Sequence, residues 1–185
     1  MPSEPSEAAL ARLDVRFSGS GGQGIILAAT VLADAACTAG FEVLATQSYG
    51  PEARGGASRA EVIVSREPID FPEIERPDVT VCLSQPAFDK FAGQTRDGGL
   101  VVYDSGLVDP GGLTGARLVG APCTELAREH AGTPMAANMV VLGVLERAAP
   151  FVGYEALVDG VHGHLPSRFL EGNLKALYAG YQPQG

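Results

Sequence analysis

Four glycines fall within six positions, directly before an apolar segment with helical spacing. Glycine loses more backbone freedom on folding than any other residue, so this density indicates that backbone must come close to another group there. The preceding residues DVRFSGS alternate as a strand does, and Gln23 to Ala39 continue as a helix that Gly40 ends. The stretch SGSGGQGIILAATVLADAACTAG opens with Gly19, Gly21, Gly22 and Gly24.

The rest of the chain also contains both predicted strands and predicted helices. Strands are predicted at about 41–47, 59–65, 78–84, 98–105 and 116–122, and a short helix at 86–91. From Thr124 the chain turns helical, with a capped start at Thr133 and a last helix at about 167–179. We therefore expect an α/β fold: a single three-layer domain with a mostly parallel, Rossmann-like sheet and a helical C-terminal part.

Length and charge limit the function classes. The chain has 185 residues, and we expect a flexible tail at 1–12 followed by one domain at 13–185. Its formal net charge of -9 argues against nucleic acid as a partner. No apolar run approaches the roughly 20 residues that span a bilayer, and the Pro- and Ser-rich N-terminus is not a secretory signal. We expect no membrane partner and a cytoplasmic location.

The cysteines and histidines do not form a metal-binding pattern. Cys37, Cys82 and Cys123 are widely separated, whereas an iron–sulfur cluster is usually held by about four cysteines. His162 and His164 stand two apart on a predicted helix and therefore point to different faces. We expect the cysteines to be core or cap residues, the histidines to be surface groups, and no metal to be bound by this chain.

The glycine turn fits two interpretations. The spacing G-x-G-x-x-G between a strand and a helix is the dinucleotide-binding fingerprint, in which helix N–H groups face an anion. That fingerprint also needs an acid near the end of the second strand, where this chain has Thr46 and Gln47, and Glu42 lies at the other end. The nicotinamide interpretation is weakened, and a tight turn without a ligand stays open.

A second unusual segment, TQSYGPEARGGASRAEV, follows the next strand. A long run without regular structure inside a compact domain is usually functional or disordered, and Tyr49 argues against disorder. Both segments follow carboxyl ends of strands, the edge where open α/β sheets bind ligands, so we expect them side by side. Arg54 is placed to clamp a carboxylate or phosphate, or alternatively to pair with Glu52 at the surface.

Asn138 is a polar side chain on an apolar helix stripe. Met135, Leu142 and Leu145 share its predicted helix face. A buried amide must be hydrogen-bonded, so we expect Asn138 to tie down a neighbouring backbone and to hold the glycine turn in place.

At these motifs the chain resembles a known family. GSGGQGI, TQSYGPEARGGASRAEVIVS, PDVTVCLSQPAFDKF and NMVVLGVL together resemble the gamma subunit, or gamma domain, of the 2-oxoacid:ferredoxin oxidoreductases, over about Asp14 to Leu177. The segment SYGPEARGG is most similar to the 2-oxoglutarate branch, 2-oxoglutarate synthase. The resemblance implies an active-site interface or coenzyme A contact at Ser20, Gly21, Gly22, Gln23, Gly24, Tyr49, Glu52, Arg54, Gly55, Gly56 and Asn138.

The resemblance also implies a reaction and its partners. A 2-oxoacid, coenzyme A and oxidised ferredoxin give acyl-CoA, carbon dioxide and reduced ferredoxin. Thiamine diphosphate, magnesium and iron–sulfur clusters are implied in alpha and beta partner subunits, with a delta (ferredoxin-like) subunit as a further candidate. This chain is then a subunit that holds no catalytic residue and no cofactor by itself. A stand-alone nucleotide-dependent oxidoreductase and a ligand-free scaffold domain stay open as alternatives.

Overall fold

The computed structural model describes residues 11–48 and 57–183. Within them, helices are interspersed among six strands up to β6, and only helices follow. The strands are β1 (Arg12–Gly19), β2 (Glu42–Ser48), β3 (Ser58–Ser65), β4 (Val79–Cys82), β5 (Leu100–Asp104) and β6 (Arg117–Ala121). The helices are α1 (Ile25–Thr38), α2 (Gln85–Phe91), α3 (Cys123–Ala131), α4 (Ala137–Ala148), α5 (Tyr154–His164) and α6 (Ser167–Tyr181). Short 3-10 helices occupy Ala92–Gln94 and Pro134–Ala136.

The strands form one sheet in the order β2-β3-β1-β4-β5-β6. Strands β1, β4, β5 and β6 pair in parallel, and β3 pairs antiparallel with both β1 and β2. Of the six strands in the described residues, β3 alone therefore runs against the others. The predicted α/β fold with a mostly parallel sheet and a helical C-terminal part is confirmed.

Helices cover the two faces of the sheet unequally. Val15 and Phe17 point from β1 into the main core, which also contains the buried faces of α1, α4 and α5. On the opposite face, Cys82 and Val101 pack with Phe88 of α2 in a smaller cluster. The three predicted layers are present, with α2 and the short helix after it on the thinner side.

Helix α1 buries a different stripe from the predicted one. The helical spacing of the sequence predicts a stripe through Ile26, Ala29, Thr30, Ala33 and Cys37. Of these, Ala29 alone is buried; Ile26, Thr30 and Ala33 are half-buried and Cys37 is exposed. The helix is apolar almost all round, so its periodicity does not select a face. The buried residues are Ile25, Ala28, Ala29, Val31, Leu32, Ala35 and Ala36.

Two glycines bring α4 and α6 into close contact. A Cβ at Gly143 would collide with backbone atoms of Leu177 and Tyr181, and one at Gly180 with the carbonyl of Val140. A side chain at either position would force the helices apart. These contacts fix α4, whose first turn reaches the candidate site.

Two buried charged side chains form hydrogen bonds to residues outside their own elements. Arg16 of β1 is 1% exposed, and its Nε donates to Glu61 Oε1 at 2.7 Å. Glu146 of α4 is 3% exposed, and its Oε1 accepts the N–H groups of Phe151 (3.2 Å) and Gly153 (2.9 Å). Its Oε2 is buried and has no hydrogen-bond partner among the described residues. Burial raises the pKa of Glu146 above its ordinary value.

The predicted tail meets the sheet at Arg12. We placed this residue last in the tail, but it is the first residue of β1, and its Nε donates to Asp14 Oδ1 at 2.7 Å. Residues 1–10 of the predicted tail lie outside the described residues, so the division at 12 and 13 stays a prediction.

Candidate functional site

The two unusual segments begin at the same edge of the sheet. Gly19, at the end of β1, pairs with Ser58 at the start of β3. Ser48, at the end of β2, pairs with Arg59. The glycine turn and the ends of the second segment therefore meet at the carboxyl edge of the parallel strands, as expected. The predicted site residues within that segment lie outside the described residues: Tyr49, Glu52, Arg54, Gly55 and Gly56.

Gln23 closes the glycine turn from inside. Its Oε1 accepts the N–H of Ser20 at 2.7 Å, and its backbone N–H donates to the Ser20 carbonyl at 3.3 Å. Its Nε2 donates to the carbonyl of Leu83, just beyond β4, at 2.7 Å. A single side chain thus joins the two halves of the turn and ties the turn to the neighbouring strand.

The glycines of the turn serve different purposes. Gly22 and Gly24 have φ of 87° and 69°, a left-handed conformation that favours glycine. A Cβ at Gly24 would also lie 2.5 Å from Asn138 Nδ2, and one at Gly19 would lie 2.7 Å from Gln23 Oε1. Gly21 is exposed, has no left-handed φ, and its Cβ would meet nothing within 4 Å. The fold therefore explains the glycines at 19, 22 and 24 but does not explain Gly21.

Asn138 holds the far end of the turn, as predicted. It is 2% exposed, and its Nδ2 donates to the Gly24 carbonyl at 3.1 Å, while its Oδ1 accepts the N–H of Met139 at 2.9 Å. The predicted neighbours Leu142 and Leu145 are buried, but Met135 is 68% exposed. Met135 was misplaced because it lies in a 3-10 helix before α4, where the residue spacing is tighter and the α-helical face does not continue.

The turn leads into the N-terminus of α1, where no acidic side chain offsets the positive end of the helix dipole. Gly24 caps α1 without a side-chain hydrogen bond, and the first turn of α1 contains no acidic residue. A helix N-terminus carries about half a positive charge together with free N–H groups. This part of the edge is therefore suited to an anion or to a carboxylate from another chain.

Asp104, which ends β5 at the same edge, was not predicted as a functional residue from the sequence. Asp104 is fully buried, and its Oδ2 accepts both the N–H and the hydroxyl of Thr124, while its Oδ1 accepts the N–H of Gly106 at 3.0 Å. Its carboxylate caps the first turn of α3. It does not face the ligand side of the glycine turn. The available signal was an acid directly after a buried apolar strand.

The three cysteines differ in burial. Cys82 and Cys123 are buried, as expected, whereas the prediction of a core or cap position was wrong for Cys37, whose thiol is exposed on the last turn of α1. Burial raises the pKa of Cys82 to about 12, and burial and the neighbouring Asp104 raise that of Cys123 further. Within the described residues, no group of three potential metal-ligating side chains comes together. None of the described helices has the length and apolar character to cross a bilayer.

The sheet order does not suit the dinucleotide interpretation. In a Rossmann sheet the second strand borders the first and presents the ribose-binding acid. Here β3 separates β2 from β1, and the end of β2 carries exposed Thr46 and Gln47.

Fold and site together define an α/β domain with a glycine turn and a helix N-terminus at its ligand edge. The chain belongs to the pyruvate ferredoxin/flavodoxin oxidoreductase family, whose model matches residues 14–183. It is 43% identical over 174 residues to 2-oxoglutarate synthase subunit KorC of Methanocaldococcus jannaschii, covering 92% of this chain and 93% of that protein. The predicted family resemblance is confirmed.

Solved structures agree with this assignment. The gamma subunit of a keto/oxoacid ferredoxin oxidoreductase from Geobacter sulfurreducens superposes with a TM-score of 0.82 at 36% identity, covering 92% of this chain and 94% of that one. A 2-oxoglutarate:ferredoxin oxidoreductase from Magnetococcus marinus, with 2-oxoglutarate, coenzyme A and succinyl-CoA bound, also gives a TM-score of 0.82, at 25% identity. The match covers 93% of this chain but 31% of that longer chain.

Proposed function

We propose that this chain is the gamma-type subunit of a 2-oxoacid:ferredoxin oxidoreductase that acts on 2-oxoglutarate. The assembled enzyme converts 2-oxoglutarate and coenzyme A to succinyl-CoA and carbon dioxide and passes the electrons to ferredoxin. The observation that carries this proposal is the 43% identity, over nearly the full length of both chains, to a 2-oxoglutarate synthase subunit. Relatives named for pyruvate synthase and for a pyruvate/ketoisovalerate common subunit share only 28% and 30% identity.

The electron chemistry belongs to partner subunits. An iron–sulfur cluster usually takes four cysteine thiolates, and this chain has three cysteines in total. Two of them are buried in separate clusters and the third is exposed. This donor set does not fit a cluster. We therefore place thiamine diphosphate, magnesium and the clusters in alpha and beta subunits, with a delta subunit as a further candidate and ferredoxin as the acceptor.

The contribution of this chain is to present its glycine edge to those subunits and to coenzyme A. The N-terminus of α1, open and without acids, suits a phosphate of coenzyme A. Gly21 supports the same role, because nothing in the described fold requires glycine there. In this proposal the turn from Ser20 to Gly24 forms one side of the coenzyme A path in the assembled enzyme.

The segment from Tyr49 to Gly56 would form the other side of that path. Its flanking residues Ser48 and Arg59 are paired in register at the edge that carries the turn. Arg54, between Glu52 and Gly55, is the cation proposed to meet a phosphate of coenzyme A or an acid of the partner. Replacing Arg54 by Ala is expected to raise the KM for coenzyme A, or to weaken subunit association, by about tenfold or more.

The Arg54 prediction is tested by steady-state kinetics and calorimetry on the complex, with the melting temperature as a control. Arg54→Lys is expected to recover only part of the loss if the contact is bidentate. If both the KM and the association constant stay within about twofold of wild type, Arg54 is a solvated surface residue or pairs with Glu52.

A second substrate is favoured by one further relative. Ketoisovalerate oxidoreductase subunit VorA of Methanothermobacter marburgensis is 43% identical over 131 residues, although the match covers only 27% of that protein. Branched 2-oxoacids must therefore be tested beside 2-oxoglutarate. Because this match is shorter and covers a small part of a much longer protein, 2-oxoglutarate is the first candidate.

The proposal is tested by purifying the complex through an affinity tag on this chain and measuring ferredoxin reduction. 2-Oxoglutarate, pyruvate and 2-oxoisovalerate are compared as substrates, each with and without coenzyme A. We expect the highest kcat/KM with 2-oxoglutarate and no turnover without coenzyme A. A complex that prefers another 2-oxoacid would change the substrate assignment. Isolation without thiamine- and iron-containing partners would overturn the proposal and favour a scaffold domain.

The cellular location follows from the same proposal. All three cysteines are free, which is their usual state in a reducing compartment. We therefore place the complex in the cytoplasm.

A further inference from the structure

The glycine turn has an inner side that is fully bonded and an outer side that is open. Gln23 and Asn138 satisfy the inner groups, at Ser20 and Gly24 respectively. Gly21 and Gly22 are exposed, and a Cβ at either would meet nothing within 4 Å. In the part of the chain that the structure describes, their N–H groups have no hydrogen-bond partner.

The two amides hold the turn from independent directions. Gln23 lies within the turn and reaches the carbonyl after β4, whereas Asn138 comes from α4, 114 residues further along the chain. The Gly24 carbonyl accepts a second bond from the N–H of Ala28, so it also starts the hydrogen bonding of α1. The turn is thereby fixed to three elements: β4, α1 and α4.

Helix α4 does not need an amide for its own packing. The residues around Asn138 in α4 are buried and almost all apolar. A buried polar group is costly unless it is bonded, and an apolar side chain of similar shape often serves the fold equally well. The amide at 138 is therefore better explained by the carbonyl that it holds than by the core that surrounds it.

We propose that Gln23 and Asn138 are positioning residues, which fix the turn so that the N–H groups of Gly21 and Gly22 face coenzyme A in the assembled enzyme. This inference rests on the proposed function and identifies the side chains that set the geometry of that site. Neither amide touches the ligand; each acts through the backbone that it bonds. Loss of either amide therefore weakens coenzyme A binding and leaves the 2-oxoacid site unchanged.

Two near-isosteric substitutions separate positioning from folding. Asn138→Leu and Gln23→Met keep volume but remove every side-chain hydrogen bond at these positions. Asn173→Leu is the matched control, because Asn173 Nδ2 donates to a carbonyl, that of Phe169, at 2.8 Å on the outer helix α6. In the purified complex we expect Asn138→Leu and Gln23→Met to raise the KM for coenzyme A about tenfold.

The same variants are expected to leave other quantities nearly unchanged. The KM for 2-oxoglutarate should stay within about twofold of wild type, and the melting temperature within about 3 °C. Gln23→Glu keeps an acceptor for the Ser20 N–H and should recover part of the affinity. A fall in melting temperature without a change in the KM for coenzyme A would mean that the amides serve only the fold and would overturn the proposal.

Hydrogen exchange tests the positioning without relying on catalysis. In the full chain, the Ser20 amide should exchange at least about tenfold faster in Gln23→Met than in wild type, and Asn173→Leu should not change it. A wild-type complex that is inactive on every 2-oxoacid would reject the proposed function, and unchanged exchange at Ser20 would reject the inference. An active wild-type complex with an unchanged KM for coenzyme A in both variants would reject the inference alone.

Discussion

Alanine at Gly21 should lower activity without a loss of stability, whereas alanine at Gly24 should lower both. Gly24 has φ of 69°, and its Cβ would lie 2.5 Å from Asn138 Nδ2. Gly21 has no left-handed φ and no neighbour within 4 Å of a Cβ. Gly24→Ala therefore disturbs the fold, whereas Gly21→Ala places a methyl group on the outer side of the turn.

The size of each effect follows from the geometry. A left-handed alanine costs about 1–2 kcal/mol, and displacement of the Asn138 amide adds to it, so we expect about 2 kcal/mol or more for Gly24→Ala. For a chain of this size that corresponds to a melting temperature lower by about 4–8 °C. Gly21→Ala restricts only the unfolded chain and should leave stability unchanged or raise it by about 0.4–1 kcal/mol.

Activity should fall in both variants, but only in Gly21→Ala should it fall without a loss of stability. A methyl group where coenzyme A approaches the backbone costs about 1–3 kcal/mol, which is about fivefold or more in kcat/KM for coenzyme A. The assay combines thermal denaturation of the full chain with kinetics of the complex. Gly93→Ala is the control, since Gly93 also has open space and lies in the short helix after α2. If Gly21→Ala behaves like Gly93→Ala in the complex, nothing approaches the turn and the proposed site is wrong.

Three further predictions concern buried acids and the isolated chain. Burial raises the pKa of Glu146, so the folded chain keeps this proton to higher pH than the unfolded chain, and stability falls as pH rises from about 4.5 through the folded pKa. Melting curves of Glu146→Gln across pH should therefore show its stability rising relative to wild type with pH; a constant difference would contradict this. Asp104→Ala removes the buried carboxylate that accepts the N–H and hydroxyl of Thr124 and the N–H of Gly106. It should lower the free energy of unfolding by about 2–4 kcal/mol, whereas Asp109→Ala, at an exposed turn, should change it by less than about 0.5 kcal/mol in urea titrations. Equal losses in the two variants would show that Asp104 does not cap α3. The purified chain alone should be colourless and should not turn over 2-oxoacids, and stoichiometric iron or activity without partners would contradict this.

The sequence predicted what depends on local pattern. The strands appeared as short apolar runs, of which 79–82 and 100–104 are nearly fully buried. The helix predicted at 86–91 begins one residue earlier, at Gln85, and the capped start predicted at Thr133 is confirmed. Asn138 was predictable because an amide on an apolar stripe needs a partner, and the only open question was which backbone group it bonds.

Structural features that depend on contacts with other elements of the fold were not predictable from the sequence. The antiparallel direction of β3 leaves no local mark, because an apolar strand has the same pattern in either direction. Asp104 bonds to the turn after β5 and to the first turn of α3, and Glu146 bonds to the connection after α4, so their burial was not visible in the pattern. The face of α1 was wrong for a related reason: an almost entirely apolar helix gives no contrast from which to choose a side.

The exposed thiol at Cys37 gives this chain a natural labelling position. Cys82 and Cys123 are buried, and their raised pKa values keep them as unreactive thiols near neutral pH. Cys37 lies on the last turn of α1, about 18 Å along the helix from the glycine turn at 1.5 Å per residue. A maleimide fluorophore should therefore attach at one site in the unaltered sequence, at the end of the helix remote from the turn. Its anisotropy would then report the docking of partner subunits in real time, without a mutation near the surface under study.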